Sequence, residues 1–428
     1  MACERWYTIL REDDSLASII GRFREFLSVQ SRNFNVLLVR GAGAQFMQQL
    51  VANFSNLYIV ELGATALQLS AIRSVGAAVN ALISLPAGWL SDVYSIKKIM
   101  TLGMIVQVIS VALYALAQDW RWIIAAVIFG TLTMTLVFRI ENILLANSLS
   151  DSSRAKGYGM RETMMRAFSV FAPTIGGVLV QLFGGISVEG IRPLYYIQFV
   201  GVSVVSLYAI RNLEDIETEG GVRADNFIEE YREMFGAGEK LKLFAFIQSL
   251  GAVTMGLSMP FPFVYAAEFK AADPLTIGYM GTCLSLATMI LAIPMGTLAD
   301  TRGRKFSIFA SRPFFYISYI LLVLAPPGAS WVLMLAWLCR GIQMSNRSWM
   351  AMSMEMVPPR YRGRWTGFLS LLQNLLRVPA MLLGGYLYES GRPELVFIIP
   401  VVVDLLIRMP LLYTLPETMK RTPEAARA

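Results

Sequence analysis

Histidine is absent from this 428-residue chain, cysteine occurs only three times, and charged residues are scarce. Without histidine the chain has no His metal ligand, no His proton relay and no Ser-His or Cys-His catalytic pair. Cys3, Cys283 and Cys339 have neither the spacing of a metal site nor that of a disulfide framework. Charged residues make up 16% of the chain, whereas soluble domains average about 25%. Since hydrophobic residues make up 55%, we expect an integral membrane protein that needs no cofactor.

Twelve long apolar runs predict how the chain crosses the bilayer. A spanning helix needs about 20 mostly apolar residues. The runs of this kind are 36–60, 66–90, 99–117, 121–146, 162–184, 193–210, 243–266, 274–299, 306–326, 330–354, 366–387 and 395–415. Little sequence is left for a soluble enzyme domain. We therefore predict an all-α membrane protein with twelve transmembrane helices and no enzymatic activity.

The polar segments between these runs divide the chain into five parts. They are an N-terminal segment at 1–35, a six-helix half at 36–210, a linker at 211–242, a second six-helix half at 243–415 and a tail at 416–428. The N-terminal segment and the linker each contain an amphipathic stretch, which is typical of a helix lying at the membrane surface. Binding of a partner protein is the alternative interpretation.

The distribution of Lys and Arg predicts the orientation, because cytoplasmic loops carry an excess of both. With both termini in the cytoplasm, 25 of the 37 Lys and Arg lie on the cytoplasmic side and four on the other. This count places Arg312, near the start of the ninth run, on the cytoplasmic side. The remaining eight are arginines inside the runs. We expect a protein of the plasma or inner membrane, and its net charge of +7 reflects topology rather than a nucleic-acid partner.

An internal repeat relates the two halves. The string LPAGWLSD at 85–92 matches IPMGTLAD at 293–300, an offset of 208 residues. The same offset pairs Lys97 with Lys305, Arg139 with Arg347, Arg154 with Arg362, Gly159 with Gly367, and Gly176-Gly177 with Gly384-Gly385. Parallel repeats of six helices place a binding site between the halves, near the middle of the membrane.

The repeated string also carries a loop signature. Its second copy contains Gly296, Leu298, Asp300, Gly303, Arg304 and Lys305, and its first copy keeps Gly88, Leu90 and Asp92 but has Ser95 and Ile96 at the later Gly and Arg positions. This pattern resembles the Gly-x-Leu-x-Asp-x-x-Gly-Arg-Lys signature of the major facilitator superfamily of secondary transporters. The resemblance extends over essentially the whole chain. It implies two pseudo-symmetric six-helix halves that rock to give alternating access, with both loops acting as gates.

Four of the arginines inside the runs have local explanations. Arg40 and Arg166 lie about five residues from a cytoplasmic helix end, from which a long side chain reaches the membrane surface. Arg73 is placed to pair with Glu61 across the outer ends of the first two runs. The fourth, Arg408, follows an aspartate by one helical turn, which is the spacing of a local ion pair.

The other four arginines, Arg139, Arg340, Arg347 and Arg377, are candidate substrate-binding residues. Arg340, Gln343 and Arg347 fall on one face of the tenth run, and the repeat aligns Arg139 with Arg347. In the resembling family the first, fourth, seventh and tenth helices line a central cavity, which implies that Arg139 and Arg347 face each other across the pathway. A guanidinium group binds a carboxylate or a phosphate through two parallel hydrogen bonds. The rival interpretation is that these arginines form a cytoplasmic gate with nearby glutamates.

The first run adds amide side chains to this candidate site. Gln45, Gln49, Asn53 and Asn56 fall within an arc of about 80°. Amides that face lipid are costly, so we expect them to line the cavity, with packing between helices as the alternative. Glu141, in the fourth run, is the candidate for proton coupling.

These features predict a monomeric secondary active transporter that works by alternating access on a small molecule. The excess of arginines makes a small organic or inorganic anion the expected cargo, and proton coupling stays open. A proton-linked drug or metabolite exporter is an alternative, although the arginines would repel lipophilic cations. A receptor or scaffold that transports nothing is the alternative from another class, and the short termini and linker argue against it.

Overall fold

The computed structural model describes residues 31–84, 95–147, 154–214, 233 and 240–419. Their helices form twelve rods, α1 to α12, one for each predicted run. The first six are α1 (Arg32–Ala52 and Ser55–Glu61), α2 (Ala66–Ser84), α3 (Ile96–Leu116), α4 (Trp120–Asn147), α5 (Arg154–Ser169 and Ala172–Leu182) and α6 (Val188–Asn212). The second six are α7 (Leu241–Ser258 and Pro262–Lys270), α8 (Pro274–Arg302), α9 (Arg304–Leu324), α10 (Ser330–Ser345 and Ser348–Glu355), α11 (Arg362–Glu389) and α12 (Leu395–Val403, the π-helical Asp404–Arg408, and Met409–Tyr413).

Nine helices within these ranges are long and apolar enough to cross a membrane, and they belong to every rod except α1, α4 and α10. α1 and α10 are each divided into two shorter helices, and the described apolar stretch of α4 ends at Met134. A polar residue at membrane depth is tolerated where it faces protein or a cavity rather than lipid.

The connections between rods alternate between two ends of the molecule. One end carries Arg32, Lys240, Arg304 and Arg362, where rods begin, and we call it the basic end. The other carries the turns at Gly63, Gly185, Ala271, Gly328 and Gly391, and we call it the opposite end. The rods therefore follow the predicted up-and-down order, because the five turns lie at one end and the basic residues that begin rods lie at the other.

Three apolar cores hold the rods together. The largest lies toward the opposite end and contains residues of both halves, among them Tyr58 and Phe261. Two smaller cores lie toward the basic end. One is formed by the first half and includes Met100, and the other is formed by the second half around Trp365. The halves therefore share a core at the opposite end and have separate cores at the basic end.

The repeated Gly-Gly pairs make equivalent contacts in the two halves. The first glycine of each pair packs against a carbonyl of α1 or α7 in its own half. The second glycine faces the other half: a Cβ on Gly177 would lie 2.6 Å from the Pro274 oxygen, and a Cβ on Gly385 would lie 2.8 Å from the Leu67 Cα. Small residues allow such close approach between membrane helices. The 208-residue offset is thus reproduced in the packing.

Some predictions fall outside the described part of the chain. The two amphipathic stretches lie mostly within residues 1–30 and 215–239, and the first gating loop, with Gly88 and Asp92, lies within 85–94. Several helix boundaries differ from the predicted runs, among them the starts of α5 at Arg154 and of α6 at Val188. α1 begins at Arg32, four residues before the predicted run, and the Ser31 side chain accepts the Phe34 N–H at its start. The capping serine, rather than hydropathy, sets this helix start.

Candidate functional site

Hydrogen bonds join the two halves from the opposite end to mid-depth. They are Leu67 N–H to Glu389 (2.8 Å), Asn56 to the Pro260 carbonyl (2.7 Å), Asn53 to the Ile277 carbonyl (3.0 Å), Thr174 to Thr282 (2.7 Å), Ser74 to the Val378 carbonyl (3.2 Å) and Asn374 to Asn80 (3.1 Å). Toward the basic end, a Cβ on Gly159, Gly296 or Gly367 would meet nothing within 4 Å. The described hydrogen bonds between the halves therefore lie at the opposite end and at mid-depth, and the three glycines toward the basic end have open space beside them.

Two of the α1 amides hold this closure together. Asn53 is 8% exposed, and its Nδ2 donates to the Ile277 carbonyl of α8. Asn56 donates to the Pro260 carbonyl of α7 and accepts from Arg73. In this structure the Asn53 donor is used between the halves, and substrate binding by Asn53 stays a prediction.

Arg73 supports the same junction. Its Nε donates to Asn56 Oδ1 at 2.8 Å and its Nη2 to Ser55 Oγ at 2.8 Å. The predicted pair with Glu61 is not formed, because the side chain turns toward the polar groups at the interruption of α1. Arg73 thus fixes the amide that reaches α7.

A buried ion triad lies inside the first half. Glu141 of α4 accepts from Arg40 of α1 at 3.3 Å and from Arg161 of α5 at 2.5 Å. Arg40 also donates to Gln107 of α3 at 2.8 Å, and the side chains of Arg40 and Glu141 are only 5% and 4% exposed. The prediction that Arg40 reaches the membrane surface is therefore wrong. Arg40 lies inside the protein, and its cluster with Gln107, Glu141 and Arg161 joins α1, α3, α4 and α5.

Two residues of this cluster could not be recognised from the sequence. Arg161 lies between the predicted runs, one residue before the fifth, and no apolar–polar pattern surrounds Gln107. The Glu141 carboxylate binds both guanidinium groups, so protonation of Glu141 would remove two buried ionic contacts. Arg166, by contrast, pairs with Glu162 one turn earlier at 2.6 Å and stays partly exposed. It lies twelve residues from the start of α5 at Arg154, farther from the helix end than predicted. The backbone of Arg139 lies in α4, and its side chain falls outside what the structure describes.

The second half contains a corresponding polar cluster around Asp404 of α12. Arg408 lies 3.1 Å from this carboxylate and Arg312 of α9 lies 3.6 Å from it, while the Tyr316 hydroxyl donates to it at 2.9 Å. Arg408 also donates to Gln248 of α7 at 3.1 Å. The predicted ion pair within α12 is confirmed. The assignment of Arg312 to the cytoplasmic side is wrong, because it lies two turns into α9 with 6% exposure.

Aromatic rings complete the cluster. The Arg408 guanidinium lies 4.2 Å from the Trp349 ring centre, and Arg312 lies 5.3 Å from it. Arg340 of α10 lies 4.9 Å from the ring centre of Phe315 and 5.2 Å from that of Tyr319, both on α9. Arginine over an aromatic face is stabilised by the ring quadrupole. Arg340 therefore points into the second half, toward α9, and not across the pathway.

A break in α10 changes the predicted arginine face. The Asn346 side chain donates to the Ser307 carbonyl at 2.6 Å and to Ser311 at 3.0 Å, and it accepts the Ser348 N–H at 2.8 Å. Arg347 lies in this break and is exposed. Because the helix is interrupted, the face that the spacing predicted for Arg340, Gln343 and Arg347 does not continue to Arg347.

Arg377 of α11 keeps its predicted position in the interior. The neighbouring Asn374 and Val378 contact α2, whereas Ala380 lies against Gly256 of α7. At 100° per residue, Arg377 lies between these two faces. Its Nε is buried without a hydrogen-bond partner, and no acidic side chain lies beside it among the described residues. Arg377 is thus an unpaired guanidinium where α2, α7 and α11 meet.

Three predicted amides keep free hydrogen-bonding groups. Gln45 and Gln49 of α1 and Gln343 of α10 are partly exposed, and their side chains have no hydrogen-bond partner among the residues that the structure describes. Their amide groups are therefore available for hydrogen bonds with a polar molecule.

The second gating loop is tied to its own half. Arg304 lies 2.5 Å from Asp300 and 2.9 Å from Glu355 of α10. Glu417 accepts the backbone N–H of Arg304 at 2.9 Å, next to Gly303, whose φ of +110° favours glycine. Glu355 is one of the glutamates near Arg347 in the sequence that the gate interpretation invoked, and in the structure it binds Arg304 of the loop. These contacts join α8, α9, α10 and the tail.

Two further members of this loop differ in their surroundings. Lys305 donates to the carbonyls of Tyr413 and Leu415 at 2.8 and 2.6 Å, next to the end of α12. Gly296 has open space where a side chain would stand. The α8 surface near it is exposed, with Ile293 72% exposed.

Sequence comparison identifies a family. Residues 39–224 and 243–428 match the sequence model of the Major Facilitator Superfamily. The match covers both halves and stops within the linker between them. Among proteins of curated function, none has a sequence that matches the chain.

Solved structures share the fold at low identity. A POT family transporter in complex with a thioalcohol-conjugated peptide has a TM-score of 0.70 at 12% identity and covers 91% of this chain and 97% of its own. The nucleoside transporter NupG has a TM-score of 0.71 at 11% identity, with 90% and 100% covered. The human organic anion transporter MFSD10 has a TM-score of 0.62 at 14% identity, with 89% and 99% covered. At such identity these likenesses show the fold alone.

Proposed function

The chain belongs to the major facilitator superfamily of secondary transporters, and we propose that its cargo is a small organic or inorganic anion. The observation that carries this proposal is the unpaired Arg377. Glu141 and Asp404 neutralise other interior arginines, whereas no described acidic residue neutralises Arg377. A charge at membrane depth needs a partner or a wet cavity, and an anionic cargo supplies the partner.

The proposed site combines this guanidinium with amides of both halves. Arg377 binds a carboxylate or phosphate through two parallel N–H donors. Gln45 and Gln49 of α1 and Gln343 of α10 add neutral donors and acceptors that set the orientation of the cargo. Arg139 and Arg347 remain proposed members of the pathway, as gate residues on α4 and at the break in α10. Arg340 is assigned to the interior of the second half.

The proposed mechanism is alternating access. With the basic end in the cytoplasm of a plasma or inner membrane, the structure corresponds to a state closed outside and open inside. Without Arg312, the ratio of Lys and Arg on the two sides is 24 to four, which supports this orientation. Opening the outside breaks the contacts of Asn53, Asn56 and Gly177, while the loops at 88–92 and 296–305 close the basic end. The protein is proposed to act as a monomer.

Two further observations bear on the cargo. One structural neighbour, MFSD10, is an organic anion transporter, and others carry peptides, nucleosides or sugars. Glu141 stays the proposed proton-coupling residue only if coupling involves opening its triad with Arg40 and Arg161.

A thermal-shift screen of the purified protein tests the proposed cargo class. The ligands are carboxylates, phosphates, neutral sugars and lipophilic cations at equal ionic strength. We expect stabilisation by one anion class and its loss in Arg377→Gln, with Arg166→Gln as the matched control. Stabilisation by lipophilic cations alone would instead support the drug-exporter alternative.

A further inference from the structure

The cluster inside the second half carries more positive charge than its single carboxylate balances. Arg312, Arg340 and Arg408 converge on the rings of Phe315 and Trp349. In the described helices of this half, the one acidic residue away from a helix end is the aspartate of α12. Three guanidinium groups against one carboxylate leave two charges without a counterion.

The unbalanced charge is concentrated at Arg312 and Arg340. Arg408 is held by Asp404 at 3.1 Å, by Gln248 and by the Ile247 carbonyl. Arg312 stands farther from the carboxylate, at 3.6 Å, with only 7% of its side chain exposed. Arg340 has no carboxylate partner. Arg408 therefore has a close carboxylate and two further acceptors, whereas Arg312 and Arg340 have no carboxylate as close.

Each of these two arginines has a buried donor without an acceptor. Arg312 Nε and Arg340 Nη1 have no hydrogen-bond partner among the described atoms. Both guanidinium groups lie beside the Phe315 ring, with Cζ atoms 5.7 and 4.9 Å from its centre. Leaving a buried charged donor unpaired is costly, and a cation–π contact satisfies the face of a guanidinium but not its N–H groups.

We propose that the second half binds a small inorganic anion of the halide class between Arg312 and Arg340. A monatomic anion accepts N–H donors from any direction, which suits two guanidinium groups that lie beside the same ring. A carboxylate or phosphate is frequently bound through two parallel N–H donors of one guanidinium, whereas here each arginine has one buried donor without an acceptor. The site is separate from the cargo site at Arg377, and it would link α9 to α10 near the break at Asn346.

The first half provides an internal comparison. At the repeat-equivalent positions, Arg40 corresponds to Gln248 and Glu141 to Trp349. There a carboxylate lies directly between two arginines, at 3.3 and 2.5 Å. In the second half the position equivalent to Glu141 is Trp349, so this position supplies no carboxylate, and Asp404 of α12 is the acidic residue of the cluster.

Thermal unfolding of the purified full-length protein tests the site. Sodium chloride is exchanged for sodium gluconate at constant ionic strength, and bromide serves as a second probe. We expect chloride and bromide to raise the Tm saturably, by about 2 to 4 °C. Arg340→Gln should remove this response. Arg166→Gln, at an arginine of the first half that pairs with Glu162, should keep it.

A second measurement needs no substitution in the cluster. Crystals grown in bromide should show an anomalous peak between the guanidinium groups of Arg312 and Arg340. Equal Tm in chloride and gluconate, a full response in Arg340→Gln, or a bromide peak elsewhere only would overturn the proposal.

The cargo proposal can fail independently. Arg377→Gln should lose the response to cargo and keep the response to chloride. If Arg340→Gln lost the cargo response while Arg377→Gln kept it, the cargo itself would occupy the cluster, and both assignments would be wrong.

Discussion

Arg40 of α1 and Glu141 of α4 form a buried ion pair 3.3 Å apart, although 101 residues separate them in the chain. Arg161 binds the other carboxylate oxygen, so one acidic group holds two arginines of different rods. The triad lies near the basic end of the first half, where the two halves no longer share a core. We infer that it keeps the rods of the first half together while the halves rock.

Removing the carboxylate should therefore destabilise the first half. Glu141→Gln leaves Arg40 and Arg161 buried and unpaired, and we expect a loss of about 3 to 5 kcal/mol in the free energy of unfolding. Thermal or denaturant unfolding in detergent measures it. Glu162→Gln is the control, because its pair with Arg166 is exposed and should contribute less than about 1 kcal/mol. Equal stability of the two variants would show that the triad is not formed.

The close contact between α5 and α8 should control closure of the opposite end. Gly177→Val places a side chain where even a Cβ lies 2.6 Å from the Pro274 oxygen, so this end should open. Cysteines replace Arg121 and Arg392 in a protein without the native cysteines, and each is spin-labelled. Double electron–electron resonance then measures the distance between the two labels. We expect longer distances in Gly177→Val.

The matched control for that experiment is Gly159→Val, where a Cβ would meet nothing within 4 Å. It should leave the distance distribution of the parent protein unchanged. Identical distributions in both variants would contradict the role of the α5–α8 contact.

The break in α10 should depend on one side chain. Asn346→Ala removes the donors to Ser307 and Ser311 and the acceptor for the Ser348 N–H. Because these groups are buried, we expect a loss of about 1 to 3 kcal/mol. Asn212→Ala, which removes one exposed contact within its own helix and one exposed contact from Arg32, should change stability by less than about 0.5 kcal/mol. A neutral Asn346→Ala would mean that α10 breaks for another reason.

The features that could be predicted from the sequence are those with a local or periodic signal. The lengths of the apolar runs predicted the twelve rods. The fixed offset predicted the two halves, and Gly177 and Gly385 make equivalent contacts in the structure. The pair of Asp404 and Arg408 was predictable because one helical turn fixes their distance.

Partners on different rods could not be predicted, because rod rotation and depth depend on packing. Arg40 was close enough in sequence to a helix end to suggest the membrane surface, yet it faces inward. Arg312 was counted as cytoplasmic although two helical turns bury it. The break at Asn346 depends on Ser307 of another rod, and no local signal announces it.

Transport by purified protein in proteoliposomes tests the central claim most directly. The account predicts that an anion identified by thermal shift is taken up in counterflow, that Arg377→Gln reduces uptake at least about tenfold, and that Arg377→Lys keeps part of it, because Lys retains the charge but not the paired donors. Arg166→Gln should transport at the parental rate. Full anion uptake by Arg377→Gln would contradict the account.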